Sequence, residues 1–128
     1  MDNYTWFKIF AALNGGLLTL LAFNVSRIRM SQHIPHGDGG SIPMKAAIRA
    51  HANGVEHVSI FGLMVLALSV PPAEGGILPT LVGAFTASRL IHAMGMLSKF
   101  FNLRRVGAGV TYTCEVVAAA YLLLSVMN

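Results

Sequence analysis

Arg49, Asn53 and Glu56 set a cation, an amide and a carboxylate at i, i+4 and i+7 of one largely apolar stretch. At 100° per residue the three fall within about 60° of one another on a helix, and His51 and His57 lie off that stripe. A guanidinium grips a carboxylate with paired donors, a carboxylate accepts from an amine, and an amide does either. Ionisable groups are costly at membrane depth, so such a stripe points to a binding or catalytic site. The alternative is an internal polar seam that only locks helices together.

The elements that must position this stripe are apolar. Of the 128 residues 55% are hydrophobic and 11% charged, against roughly 25% charged in an ordinary soluble domain. The length predicts one domain, residues 1–128. The net charge is +4, yet the cations sit at the ends of apolar runs, where lipid headgroups lie, so nucleic acid is excluded as a partner. One cysteine, Cys114, gives no disulfide framework, and the five histidines show no metal-ligand spacing, so no metal is expected. The first apolar run lacks the form of a cleaved signal and is expected to be retained.

A spanning helix takes about 20 mostly apolar residues. Four spans are predicted, at about 6–27, 45–70, 77–98 and 106–127. The fold class is therefore all-α integral membrane, a bundle of four transmembrane helices. The run 58–70 is too short alone and reaches full length only by taking in the polar stripe from Lys45 onward. That polar half must face protein or a water-filled cavity. Loops are expected at 35–43, around Pro71-Pro72 and Glu74-Gly75-Gly76, and at 102–105. Arg27, Arg29 and Lys45 flank the first connection, Lys99, Arg104 and Arg105 the third, and no cation the second. The first and third loops should then be cytoplasmic and both termini periplasmic.

Counted from the cytoplasmic ends, Glu56, Arg89 and Glu115 all lie about 15 Å deep, near the bilayer middle. The expectation is that Arg89 pairs with Glu56, Glu115 or both, as a structural polar layer. Nearer the cytoplasm, Arg27, Arg49, Asn53, His92 and Tyr112 are expected to line a pocket suited to a zwitterion with surplus carboxylates. Glutathione has that make-up, and other ligands share it.

Arg49-Ala50-His51-x-Asn53-x-x-Glu56 resembles the signature of the membrane-associated proteins in eicosanoid and glutathione metabolism, the MAPEG family. The resemblance covers most of the chain. Ser26-Arg27-Ile28-Arg29 is similar to the end of that family's first span, Arg89-Leu90-Ile91-His92 to its third, and Val110-Thr111-Tyr112-Thr113 to its fourth. The stretch 24–30, followed by Gly37-Asp38-Gly39-Gly40, looks most like small bacterial inner-membrane members. The resemblance implies a homotrimer of four-helix subunits, with glutathione as cosubstrate held between neighbours near the cytoplasmic side. It implies glutathione contacts at Arg27, Arg49, Asn53, Glu56, His92 and Tyr112, and a structural or near-site role for Arg89.

Two departures bear on chemistry. Met96 stands where several members of the family have a tyrosine. Ala108 and Gly109 stand near where some catalytic members have an arginine or serine beside the thiol. A thiol of pKa about 8.5 is only about 3% thiolate at pH 7, so a nearby cation matters. Arg104 and Arg105, one turn earlier, are the candidate substitutes. The leading expectation is thus a glutathione-dependent membrane transferase or peroxidase acting on lipophilic electrophiles. The second is a non-enzymatic lipid- or thiol-binding protein on the same scaffold. The third is a small proton-coupled exporter using Glu56 or Glu115.

Overall fold

The computed structural model describes residues 2–70, 76–98 and 100–127. It contains four helices and, among the described residues, no strand: α1 (Asn3–Ser31), α2 (Ile42–Ser69), α3 (Ile77–Leu97) and α4 (Phe101–Met127). Each is long and apolar enough to cross a membrane. Even the 21 residues of α3 extend about 32 Å, the thickness of a bilayer's hydrocarbon core.

The helix ends follow local chemistry. The Asp2 carboxylate caps α1 by accepting the Thr5 backbone N–H at 2.7 Å, and the Ser41 hydroxyl caps α2 by accepting that of Met44 at 3.2 Å. Pro43 sits in the first turn of α2, where its missing N–H leaves no bond unmade. Hence α2 starts at Ile42, three residues before the expected Lys45. The first connection is tied from within. Arg29 donates from one guanidinium nitrogen to the carbonyls of Ile34 and Gly37, both at 3.1 Å. The Asp38 carboxylate accepts the Gly40 N–H at 2.9 Å, at a positive φ of 72° that glycine alone tolerates well. That bond holds the Asp38 carboxyl below the ordinary carboxylate range, with help from the Lys45 ammonium 3.7 Å away.

The last two helices differ from expectation. Residues 102–105, expected as a loop, form the first turns of α4. Ser98 ends α3 by donating both its N–H and its hydroxyl to the Met94 carbonyl. α4 begins at Phe101, close behind it. Lys99 lies outside the described residues, as do Pro71, Pro72, Glu74 and Gly75. So tight a hairpin needs small residues at its crossing. A Cβ on Gly95 would stand 2.3 Å from the Arg104 backbone nitrogen, and one on Gly107 would stand 2.6 Å from that of His92. A Cβ on Gly15, Gly16 or Gly83 would meet nothing within 4 Å, whereas one on Gly62 would meet the Phe10 ring at 3.0 Å.

The main core lies on one side of the polar layer. Phe61 and Phe85 stack at 3.9 Å with planes 3° apart, and Phe10 tilts against both at 5.6 and 5.7 Å. Val58, Val65, Leu68, Leu78, Leu81, Val82, Cys114 and Ala118 complete the cluster. A smaller cluster of Leu21, Ala50 and Ala93 forms a second patch. α1 packs on α2 and α3, and among the described residues it does not touch α4. That leaves a gap between α2, α3 and α4 free for a site.

Candidate functional site

Three helices line a cleft of about 300 Å³. α2 supplies Arg49, Asn53 and His57, α3 supplies His92 and Met96, and α4 supplies Arg104, Ala108 and Tyr112. On every helix the lining residues are four apart, so each helix presents one narrow stripe.

Arg89 sets the polarity of this cleft from beneath. Its side chain is 2% exposed. One terminal nitrogen donates to Asn53 Oδ1 at 2.8 Å and reaches His92 Nδ1 at 3.3 Å, while the other approaches Thr111 Oγ1 at 3.4 Å. A guanidinium only donates. The Asn53 carbonyl oxygen is therefore occupied, and its NH2 is left to the cleft. In the same way His92 Nδ1 must accept, which puts the ring proton on Nε2. Thr111 is fixed in turn by its own bond to the Gly107 carbonyl at 2.8 Å and by Ser88 at 2.9 Å. Arg49, Arg104, Asn53 and His92 thus all face the cleft as donors.

The expected pairing of Arg89 with Glu56 or Glu115 is not formed. Among the described residues no carboxylate lies within ion-pair distance of Arg89, and its Nε has no hydrogen-bond partner. Glu115 turns instead to His57, with its Oε1 2.7 Å from His57 Nδ1. The two side chains are 17% and 15% exposed. Tyr112 meets the His57 ring edge-on at 5.3 Å. Glu56 is exposed on the outer side of α2. On a helical wheel Glu56 falls about 100° from His57, at the opposite end of the arc that holds Arg49 and Asn53.

The remaining candidates divide in the same way. Arg27 is exposed and bonds Asn24 of its own helix at 2.9 Å, outside the cleft. Of the two candidate thiol-side cations, Arg104 lines the cleft and Arg105 does not. Met96 and Ala108 both line it. Gly109 is exposed with open space beside it. Among the described residues no group of three or more histidine, cysteine, aspartate or glutamate side chains could hold a metal. His57 was passed over in sequence because it lies off the 49–53–56 stripe. Its spacing of eight from Arg49, matched by the 104–108–112 series on α4, is the signal that would have found it.

The sequence model of the MAPEG family matches residues 7–124, the whole of this arrangement. The chain belongs to the MAPEG family. It is also similar to the inner membrane protein YecN of Escherichia coli K12, and to YecN of E. coli O6:H1. Each is 33% identical to it over 104 residues, which cover 81% of this chain and 79% of the relative. In this MAPEG chain Arg49 and Asn53 line the cleft, and the exposed Glu56 does not.

Proposed function

We propose that the protein is a glutathione-dependent transferase or peroxidase of the bacterial inner membrane, acting on lipophilic electrophiles. The carrying observation is the donor-lined cleft. Two guanidinium groups, an amide NH2 and an imidazole N–H converge there, and the Glu115 carboxylate is engaged by His57. Such a site favours a ligand rich in acceptors and carrying more than one carboxylate. Glutathione is such a ligand, and the family membership favours it over other carboxylates.

In this reading Arg49 and Asn53 hold carboxylate and carbonyl oxygens, and Arg104 stabilises the thiolate in place of the cation absent at Ala108. The electrophile arrives from the bilayer. Exposed Arg27 and Glu56 belong to a site completed by a neighbouring copy in a homotrimer, which accounts for polar residues on outward helix faces. The first and third loops are cytoplasmic and both termini periplasmic, as the loop cations require. One observation favours a second reading on the same scaffold, a lipid- or thiol-binding protein without turnover. The cleft wall at Met96 and Ala108 is apolar where catalysis needs polarity. Retained binding without product would select it.

The test is the thermal stability of the detergent-purified protein with and without millimolar glutathione, for wild type and Arg49→Ala. Ligand at ten times its Kd stabilises the native state by about 1.4 kcal/mol through mass action. A shift in wild type that disappears in Arg49→Ala supports the reading. No shift in a folded wild type removes it.

A further inference from the structure

We propose that His57 is the proton acceptor for a thiol bound in this cleft, with Glu115 as its positioning residue. The inference rests on the glutathione reading above and adds the base that reading lacks. It is carried by the geometry of the pair. Glu115 Oε1 lies 2.7 Å from His57 Nδ1, so Nδ1–H donates to the carboxylate and the lone pair stays on Nε2. Among the described residues nothing bonds Nε2, and His57 lines the cleft. Apart from the Glu115 carboxylate on α4, the groups that share the cleft with the ring are donors or neutral. Arg49 comes from α2, His92 from α3 with Arg89 bonded to it, and Arg104 and Tyr112 from α4. Among these groups His57 Nε2 is the side-chain nitrogen left to accept a proton. A carboxylate behind a histidine is the arrangement that orients an imidazole toward a nucleophile and stabilises the imidazolium that forms.

The step balances without a further reagent. The thiol S–H bond breaks and an N–H bond forms at Nε2, leaving thiolate beside imidazolium. The sulfur lone pair then forms a C–S bond at the β-carbon of an activated alkene. The π electrons move to the α-carbon, and the Nε2 proton passes there, restoring neutral His57. Where the electrophile carries a leaving group, the C–S bond replaces the bond to that group, which departs with its electron pair and the Nε2 proton.

The test reads thiolate ultraviolet absorbance and proton release together, on glutathione bound to the folded protein in detergent. In wild type near neutral pH, thiolate forms with much less than one proton released per thiolate, because the proton stays on His57. In His57→Gln, bound thiolate at pH 7 falls at least about tenfold, equivalent to one pH unit in the thiol titration. Glu115→Gln moves the titration the same way, and Glu115→Asp returns it toward wild type. Full proton release in wild type, or an unmoved titration in a His57→Gln protein that still binds, overturns the proposal alone. Absence of glutathione binding by wild type overturns it together with the functional reading. Should His57→Gln fail to fold, the wild-type proton count decides.

Discussion

Alanine at Gly107 should separate α3 from α4, whereas alanine at Gly109, two residues along the same helix, should not. A Cβ at position 107 would lie 2.6 Å from the His92 nitrogen, 2.7 Å from its Cβ and 2.8 Å from its Cα. Ordinary contact begins at about 3.5 Å, so the helices must part by roughly 0.9 Å. Backbone atoms cannot rotate aside, which places the overpacking cost near the upper end of its usual range, about 3 kcal/mol. Alanine regains about 1 kcal/mol over glycine through helix propensity, leaving a net loss of about 2. At Gly109 nothing stands within 4 Å, and only the propensity gain of up to about 1 kcal/mol remains. The two substitutions should therefore differ by about 3 kcal/mol. The assay is equilibrium unfolding in mixed micelles of rising SDS fraction. It is followed by fluorescence of the single tryptophan, Trp6, which packs against the aromatic core. Because the clash falls on His92, Gly107→Ala should also weaken any ligand held in the cleft. Equal unfolding midpoints for the two variants would refute the close crossing as the element that holds the cleft walls together.

Arg89→Met should leave stability within about 1 kcal/mol of wild type, far from the 3–5 kcal/mol lost when one partner of a buried ion pair is removed. The reason is that no carboxylate pairs with Arg89 among the described residues, and the same unfolding assay checks it. The same variant should still lose glutathione affinity, because Asn53 is freed to turn its oxygen into the cleft. Below about pH 4 the first connection should loosen. A carboxyl held below its ordinary range stabilises fully above that range and loses the contribution as pH falls through the folded value. Hydrogen exchange at the Gly40 amide should show protection at pH 6 that fades in acid toward the level of Asp38→Ala.

Much of the fold is written in one-dimensional quantities, and those are what sequence reading recovers. Hydropathy over about 20 residues fixes the number of helices, and Pro35 and Gly37 to Gly40 mark the first connection. What escaped is set by relative rotation. The α3–α4 crossing depends on Gly95 and Gly107, which in sequence look like any glycines in an apolar run. They gain meaning only when the two helices are placed side by side. The start of α4 at Phe101 follows from that crossing, since Arg104 must already be helical to pack on Gly95. The candidate site shows the same division. Arg49, Asn53, His92 and Tyr112, singled out by residue type and depth, line the cleft, as does Arg104, singled out through the resemblance. The partner of Glu115 was not, because depth alone makes Arg89 and His57 equivalent and only azimuth tells them apart.

A buried guanidinium without a carboxylate partner is an expensive feature for a fold to keep. Helix packing does not require it here, since Thr111 is already bonded to Gly107 and Ser88, and the aromatic core lies elsewhere. What Arg89 does uniquely is fix which atoms of its neighbours point where. By donating to Asn53 Oδ1 and His92 Nδ1 it turns two ambivalent side chains into donors and hands both to the cleft. An unpaired cation beneath the floor also leaves the local field positive, and a carboxylate bonded directly to it would cancel that. Glu115 is bonded to His57 and not to Arg89, so the Arg89 cluster and the His57–Glu115 pair stay separate. In the proposed reading the first makes a surface suited to an anionic ligand and the second leaves a base at its edge. A polar layer whose only purpose was to lock helices would have joined Arg89 to Glu115 directly and left neither group facing an opening.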